Sequence, residues 1–465
     1  MTITLVTSNP KIREVIDDAK ATELIASWKE QLQEEISSGG NSILCDKIVL
    51  DGKSYTPAAA KIIASFLTST DDYKPSIASG VKVAILSDII ASQMEAEALI
   101  VLETISDAFK ESRLEEVDLS DNAMGTKGVD ACKTVLSGPS VIDTLQRLKL
   151  CNNGLSKYTM DEVSLLLTEG ESSCIAKNLT QIHFYNNMSD DDGCISFKKI
   201  IARAENLEDI RFSGTRAKAK GSVQITSGLN DIAKNGKLGN ITRLDLADNS
   251  FGDCYEDLAD ALRSCTKLEY LDLHDCCLGD DGIVAVCDAL LKVQAPLSFL
   301  SLSGNDVGED SYEGGKSIAT LIKSINKSIV SFHASENELK SPGIRSIARA
   351  FRSDTVREIY LNQNECGTVG ANEVMKMASR LPNLEVIQLD ANGFLPDVVD
   401  KLNEVFGDKL EEMEDNIDDE DYDEELNPED LKDDLGVNSE QDETEEDPDA
   451  DVDALANEFG QLASA

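Results

Sequence analysis

The pattern LxxLxLxxNxL recurs along most of the chain and restricts its possible folds more than any other sequence feature. One copy runs from Leu114 to Met124, and the next runs from Leu145 to Leu155. Later copies begin at Leu179, Leu207, Ile241, Leu268, Leu297, Ile329, Val356 and Leu384, and two degenerate copies begin near Cys45 and Val81. The copies follow one another at spacings of roughly 27 to 36 residues, which indicates about twelve repeats of one structural unit.

Each unit is expected to begin as a short strand and to continue as a helix. The strand segment alternates apolar and polar residues, whereas the segment from Gly128 to Leu136 carries apolar residues at three- and four-residue spacing. A single unit cannot bury its own apolar face, so the units must stack, with strands in one parallel sheet and helices on its other side. The unit length and the helical second half predict an α/β fold, a leucine-rich-repeat solenoid shaped as a ribonuclease-inhibitor-like crescent.

The sequence divides into three predicted regions. Residues 45–407 form the leucine-rich-repeat domain. Residues 1–44, with an amphipathic stretch at 21–36 around the only tryptophan, Trp28, form an N-terminal helical cap. Residues 408–465 form an acidic, largely disordered tail, because roughly 22 acidic residues lie between positions 411 and 449 with only one lysine among them.

An asparagine occupies the ninth position of most copies of the pattern. Its amide can pair with backbone groups that a tightly turning chain leaves open, so we interpret the row as a structural ladder. Thr215 and Cys276 take its place in two copies. The asparagines of the ladder are Asn122, Asn153, Asn187, Asn249, Asn305, Asn337, Asn364 and Asn392.

The charge of the chain limits its partners. With 87 Asp and Glu against 43 Lys and Arg, the formal net charge is -44. Phosphate binding needs clustered basic residues, so we expect no nucleic-acid partner and favour a basic protein. No run approaches the length of apolar sequence that crosses a bilayer, so we expect no membrane insertion. The 11 cysteines show no CxxC spacing, which indicates reduced thiols in the cytoplasm or nucleus.

Several motifs of catalytic or metal-binding sites are incomplete. The segments Gly314–Ser317 and Gly52–Ser54 resemble the end of a phosphate-binding loop but lack its first glycine. The acidic run at 190–192 does not have the spacing of a calcium loop. The three histidines are far apart in the sequence: His183, His274 and His333. We therefore expect no metal site and no cofactor bound by this chain itself.

Four motifs follow one another in the order Ser87–Leu99, Leu119–Gly125, Cys151–Leu155 and Phe184–Met188. Their residues and unequal spacing resemble the Ran GTPase-activating proteins of plants and fungi, and the likeness continues to the acidic tail, over nearly the whole chain. The resemblance implies that the protein accelerates GTP hydrolysis by the small GTPase Ran in nucleocytoplasmic transport. It also implies that Ran carries the GTP and Mg²⁺, that a Ran-binding protein can join in a ternary complex, and that the protein is cytoplasmic. Attachment to the nuclear envelope stays open.

The resemblance implies a mechanism as well. The family is understood to order the GTPase's own catalytic glutamine through an asparagine. We assign that role to Asn152, because Asn153 already fills the ladder position and no structural task is expected for its neighbour. Asn186, beside Asn187, is a weaker candidate of the same kind. Further candidates for binding the partner are Ser87, Asp88, Asp121, Arg216, Asp245 and Asp248.

Gln93 stands where relatives carry an arginine that is important for activity. A glutamine supplies neither the charge nor the forked donors of a guanidinium. Four interpretations stay open: activation through a weaker contact, compensation by Lys82 or another base, a Ran-binding protein with reduced turnover, and an alignment shifted by one residue that hides the true counterpart. A non-catalytic Ran-binding scaffold or inhibitor is a separate alternative. An acidic chaperone of basic nuclear proteins, acting through the tail, is a further alternative. Whether the chain stimulates catalysis is thus undecided by its sequence.

Overall fold

The computed structural model describes residues 3–7, 13–37, 45–170, 174–309 and 311–417. The strands in these ranges are β1 (Thr4–Val6), β2 (Glu14–Ile16), β3 (Lys47–Val49), β4 (Lys53–Tyr55), β5 (Val83–Ile85), β6 (Glu116–Asp118), β7 (Arg147–Lys149), β8 (Gln181–His183), β9 (Asp209–Arg211), β10 (Arg243–Asp245), β11 (Tyr270–Asp272), β12 (Phe299–Ser301), β13 (Ser331–His333), β14 (Glu358–Tyr360) and β15 (Val386–Gln388).

Helices connect most of these strands. They are α1 (Asp18–Ser37), α2 (Pro57–Thr68), α3 (Ile77–Gly80), α4 (Glu95–Ala108), α5 (Gly125–Ala131), α6 (Lys133–Leu136), α7 (Lys157–Thr168), α8 (Asp190–Arg203), α9 (Ala219–Lys234), α10 (Tyr255–Leu262), α11 (Gly279–Val293), α12 (Glu313–Ile325), α13 (Lys340–Ala350), α14 (Gly367–Met377) and α15 (Pro396–Phe406). Short 3₁₀ turns lie at Ile175–Asn178, Leu238–Asn240, Gly252–Cys254, Ala378–Arg380 and Gly407–Lys409.

Thirteen of the described strands form one parallel sheet, in the order β1, β3 and then β5 to β15. The register repeats from strand to strand, so that Leu148 lies beside Ile182, and Leu244 lies beside Leu271. Strands β2 and β4 pair separately. This sheet and the helices between its strands confirm the predicted leucine-rich-repeat solenoid.

Each repeat strand from β5 onward buries its middle residue, such as Leu148 or Leu244. The helices pack against their neighbours in the adjacent repeats, as α8 packs against α9. The core therefore lies between the sheet and the helices, as expected for a parallel sheet joined by helical crossovers. The first and third residues of each strand lie on the other side, which we call the open face.

The N-terminal region contributes strands as well as a helix. Helix α1 covers the predicted amphipathic stretch, and Trp28 is 1% exposed, with its indole N–H donating to the carbonyl of Val6 at 3.1 Å. Strand β1, however, pairs with β3 and adds a strand to the sheet ahead of the first predicted repeat. The repeat pattern did not reveal β1, because Leu5 alone occupies one of its apolar positions there, and Thr7 stands where the next leucine would be.

The asparagine ladder has the structural role predicted for it. All eight asparagines are at most 5% exposed. Asn187 accepts hydrogen bonds from the backbone N–H groups of Asn153 and Leu155, both at 3.1 Å, and its amide donates to the carbonyls of Leu150 and Phe184. One side chain thus pairs backbone groups of two successive repeats that would otherwise be buried without partners.

The two replacements in the ladder keep part of this pairing. Thr215 shares a hydrogen bond of 2.9 Å with the amide oxygen of Asn249. The Cys276 thiol lies 3.4 Å from the carbonyl oxygen of Leu246, and its backbone N–H donates to Asn305. The next asparagine in the ladder therefore continues the pattern across both positions.

The last strand is followed by α15, and residues 408–417 then pack against the final repeat. The side chain of Asn416 exchanges hydrogen bonds with the backbone of Phe394, at 3.0 and 2.9 Å, in the manner of a further ladder residue. Leu410 forms an isolated parallel bridge with Ile387. The first ten residues assigned to the acidic tail thus belong to the folded end, and the rest of the predicted tail lies outside the described residues.

We predict that Asn153→Ala lowers the free energy of unfolding by about 1–3 kcal/mol, because a buried backbone group loses its partner. The side chain of Asn153 accepts from the N–H of Asn122 at 2.9 Å and donates to the carbonyl of Leu119 at 3.0 Å. Denaturant titration followed by circular dichroism measures the change. The exposed neighbour provides the control, as Asn152→Gly should change the value much less; equal losses would contradict the structural distinction.

Candidate functional site

The residue immediately before each ladder position adopts a left-handed backbone conformation. The φ angles are +62° at Asp121, +51° at Asn152, +53° at Asn186 and +56° at Asp248. We call this row of residues the rim. Asparagine, aspartate and glycine tolerate the conformation better than other residues. The other rim residues with positive φ are Asp88, Gly214, Asp275, Gly304, Glu336, Gln363 and Ala391.

This conformation corrects one expectation from the sequence. Asn152 was expected to have no structural task, yet its backbone adopts a conformation that favours asparagine. The requirement is not strict, because Glu336 and Ala391 adopt the same conformation at their own rim positions. The presence of an asparagine at position 152 is therefore not by itself evidence of function, whereas the contacts of its side chain are informative.

Hydrogen bonds fix the orientation of the Asn152 amide. Its Nδ2 donates to Oδ1 of Asp121 at 2.8 Å, and its Oδ1 accepts from Nδ2 of Asn186 at 3.0 Å. All three side chains are exposed. Rotating the amide by half a turn would place N–H against N–H and oxygen against carboxylate, so the observed orientation is strongly preferred. One N–H and one lone pair of Asn152 remain available to a partner.

These residues line an open cleft of about 490 Å³ at the carboxyl ends of the strands, where the chain turns out of the sheet. The cleft brings together four of the predicted site residues, Ser87, Asp121, Asn152 and Asn186. Its remaining lining residues are Asp118, Ser120, Cys151, Tyr185 and Arg211. The lining is polar and is supplied by consecutive repeats, so its geometry depends on their register.

Arg211 is a cleft residue that lies outside the four motifs found in the sequence. The guanidinium of Arg211 lies 3.7 Å from the centroid of the Tyr185 ring, and its Nε lies 2.7 Å from Oδ2 of Asp245. Arg211 is the third residue of β9, in a segment that has no distinctive motif. One signal could have indicated Arg211: it is a basic residue at a strand position of the repeat that follows the Asn186–Asn187 pair.

The cysteine of the cleft is not poised for chemistry. Burial raises the pKa of the Cys151 thiol, so the thiol stays protonated at neutral pH. Within the described part of the chain, no three His, Cys, Asp or Glu side chains are grouped to hold a metal ion. None of the described helices has the length and apolar character needed to span a membrane.

Asp245 is not accessible, as a residue that binds a partner protein would have to be. Its side chain is only 2% exposed and lies between Arg211, at 2.7 Å, and Arg243, at 3.8 Å. The two guanidinium groups cover it, so a partner protein cannot reach it. Asp245 instead holds Arg211 in place beside the cleft.

Arg216 and Asp248 are exposed, but neither lines the cleft. Burial raises the pKa of the Asp248 carboxyl, and the neighbouring carboxylate of Asp275 raises it further. The charged form of Asp248 is therefore disfavoured where it stands. These two predicted partner contacts stay predictions.

Gln93 and Asp88 are both bound by groups near the first repeats. The amide of Gln93 donates to the hydroxyl of Ser54 at 3.0 Å, and Gln93 does not line the cleft. Both carboxylate oxygens of Asp88 accept from Nη2 of Arg13, at 2.7 and 2.6 Å. Arg13 is thus a basic group directly beside the Ser87–Asp88 motif, although 75 residues of sequence separate it from Asp88.

Lys82 cannot serve as the compensating base that the sequence analysis suggested. Its ammonium lies 2.7 Å from the carboxylate of Glu115. Lys82 precedes β5, whereas Ser87 follows it, so the two residues lie at opposite ends of the strand. The ion pair and the strand direction keep Lys82 away from the cleft.

Comparison with known proteins agrees with this architecture. A family model described as Leucine Rich repeat matches residues 113–131 and 264–287. Over 130 residues the chain is 33% identical to RAN GTPase-activating protein 2 of Arabidopsis thaliana. The matched segment covers 28% of this chain and 22% of that protein. This chain thus has a leucine-rich-repeat fold and is similar to the Ran GTPase-activating proteins.

Two further comparisons define the extent of this similarity. The leucine-rich-repeat protein is 35% identical over 99 residues to RAN GTPase-activating protein 1 of Arabidopsis thaliana, covering 21% of the chain and 17% of that protein. It is 25% identical over 283 residues to NACHT, LRR and PYD domains-containing protein 14 of Mus musculus. That match covers 55% of this chain and 27% of the mouse protein.

The matched segments are thus much shorter than the likeness over nearly the whole chain that the motifs suggested, and they span about a fifth of the two Arabidopsis proteins. Repeats diverge readily, because most pattern positions require only an apolar residue of suitable size. The longer match to a NACHT protein shows that part of the similarity belongs to the repeat architecture in general.

We predict that Asp245→Asn and Asp248→Asn have different effects on the leucine-rich-repeat protein. Losing the carboxylate that pairs with Arg211 should lower the free energy of unfolding by about 1.5–3 kcal/mol. Asp248→Asn should leave it unchanged or raise it, because a raised pKa means that the fold disfavours the charged form at neutral pH. Denaturant titrations of both variants test this, and a larger loss for Asp248→Asn would contradict the structural role given to Asp245.

Proposed function

We propose that this protein accelerates GTP hydrolysis by the small GTPase Ran by orienting the GTPase's own catalytic glutamine. The observation that carries the proposal is the exposed amide of Asn152, held in one orientation by Asp121 and Asn186. The similarity to Ran GTPase-activating proteins supports the choice of partner.

The proposed chemistry needs no reactive group from this chain. Intrinsic hydrolysis by small GTPases is slow, and a glutamine that positions the attacking water is central to its acceleration. An amide with one free N–H and one free lone pair can hydrogen-bond the amide of that glutamine and hold it in the productive geometry. GTP and Mg²⁺ would come with the GTPase, and this chain would contribute no cofactor of its own.

The preset orientation of Asn152 is what would make the contact effective. A donor or acceptor that is already oriented before the partner binds need not be reorganised in the transition state. Asp121 and Asn186 supply this orientation from the repeats on either side of Asn152. In this proposal they are positioning residues, and Asn152 is the residue that touches the partner's catalytic group.

The charge of the chain supports binding of a partner that presents a basic surface. At a net charge of -44, long-range attraction should raise the association rate and should weaken as salt is added. We propose that this activity takes place in the cytoplasm, including the nuclear envelope, and that a Ran-binding protein can join the complex.

The second candidate function is a Ran-binding scaffold without stimulation of hydrolysis. Two observations favour it. Gln93 is neutral and is tied to Ser54, and the guanidinium of Arg211 is paired with the buried carboxylate of Asp245. Arg13, at 64% exposure and paired with Asp88, is the basic group best placed to contribute charge beside the motif. An acidic chaperone activity would depend on the tail, beyond the described residues.

Single-turnover GTP hydrolysis by Ran tests the proposal. We expect the wild type to accelerate hydrolysis, and Asn152→Gly to lose about 10²-fold or more, because glycine keeps the left-handed backbone and removes only the amide. Gln363→Gly is the matched control, since Gln363 is an exposed rim amide with a φ of +52° in a distant repeat. Equal activity of Asn152→Gly and the wild type would exclude the assigned role.

Two further variants separate activator from scaffold. If the wild type binds Ran without accelerating hydrolysis, and Gln93→Arg restores acceleration, the protein is a scaffold that lacks one cationic contact. If the wild type accelerates hydrolysis and Arg13→Gln reduces the rate, Arg13 supplies that charge. Binding is measured separately for each variant, so that loss of affinity is not mistaken for loss of catalysis.

A further inference from the structure

A row of stacked rings crosses the open face of the sheet from β11 to β14. The ring centroids of Tyr270 and Phe299 are 4.1 Å apart, and their planes are inclined by only 4°. His333 lies 4.9 Å from Phe299 and 4.1 Å from Tyr360. We call these four residues the ring stack. All four are half-buried, so their uncovered surface is available to a partner.

An arginine already covers one end of the ring stack. The guanidinium carbon of Arg243 lies 3.7 Å from the centroid of the Tyr270 ring, and a carboxylate oxygen of Asp245 lies 3.8 Å from the same guanidinium. Arg211 lies over Tyr185 at 3.7 Å, beside the same carboxylate. On this face, an aromatic ring with a carboxylate beside it therefore accepts a guanidinium.

The other end of the ring stack has the same chemistry but no arginine. Glu358 lies two residues before Tyr360 on the same side of β14, and the backbone N–H of Glu411 donates at 3.0 Å to the carbonyl of Ile387 in β15, the strand that pairs with β14. Burial raises the pKa of the Tyr360 phenol, and the charges of these two carboxylates raise it further. Glu358 accepts a hydrogen bond from Ser331 at 2.8 Å, and Glu411 is exposed. Within the described ranges, neither carboxylate forms an ion pair with a basic side chain.

The stack itself carries little charge that would repel a cation. Burial lowers the pKa of His333 to about 4, so its ring is neutral at pH 7. A planar guanidinium can stack on a ring and bind a carboxylate at the same time, which an ammonium does less well. An apolar segment would instead leave Glu358 and Glu411 beside it without partners.

We propose that the Tyr360 end of the ring stack binds an arginine side chain of a partner protein, with Glu358 and Glu411 pairing with its guanidinium. The occupant follows from charge complementarity and from the two arginines that this face already holds. The surface is separate from the cleft at Asn152, and the proposal does not depend on any effect on GTP hydrolysis.

Binding of a fluorescein-labelled peptide of repeated Arg-Gly-Ser units to the full-length protein tests the proposal. Anisotropy is measured at an ionic strength of about 0.15 M, where distant charges are screened. Tyr360→Leu should weaken binding by at least about threefold, the effect of losing a cation–π contact. Tyr158→Leu, the same change at a tyrosine that is 75% exposed on α7, should not weaken it.

Charge alone must be excluded, because any basic peptide is attracted to so acidic a chain. A peptide in which lysine replaces every arginine keeps the charge and should bind more weakly than the arginine peptide. Glu411→Gln should also weaken binding, although this variant retains the Tyr360 ring. It provides a second test if Tyr360→Leu proves unstable. Equal binding of both peptides, or equal affinity of Tyr360→Leu and Tyr158→Leu, would overturn the proposal.

Discussion

The solenoid depends on the hydrogen bonds between buried asparagine amides and the backbone at each turn out of the sheet. A chain that turns sharply after a three-residue strand leaves N–H and C=O groups inside the protein, where water cannot reach them. Asn305 illustrates the solution: its oxygen accepts from two backbone N–H groups, and its nitrogen donates to the carbonyls of Leu273, Leu302 and Ser303. The same bonds hold neighbouring repeats in register.

The turn that the ladder stabilises also determines the composition of the rim. Left-handed backbone favours asparagine, aspartate and glycine, so a row of short polar side chains forms along one edge of the sheet. A binding site for a polar partner can arise there without a change in the backbone. Asn152 combines both roles, because its backbone satisfies the turn while its amide is oriented by Asp121 and Asn186.

The open face changes character along the solenoid. In its middle repeats, acidic and basic side chains pair with one another, as Arg147 pairs with Glu116 at 2.8 Å and Arg211 pairs with Asp245. Toward β14, aromatic rings take the place of the basic residues, and among the described residues Glu358 has no basic partner but accepts from Ser331. The negative charge is thus distributed unevenly over the open face, and the middle repeats and the region near β14 suit different partners.

The sequence by itself determined the repeat unit, the parallel sheet and the eight ladder asparagines, because the apolar spacing recurs in successive copies and a buried amide recurs in most of them. It also singled out Asn152, Asn186, Asp121 and Ser87 as candidates, and these four residues line one cleft. Only the tertiary structure decided the rest. Stacking of repeats buried Asp245 between two arginines, brought Arg13 to Asp88 across 75 residues, and aligned four rings from four strands. Most of those contacts join residues from different repeats. A local sequence pattern does not predict which side chains of neighbouring repeats will lie opposite one another.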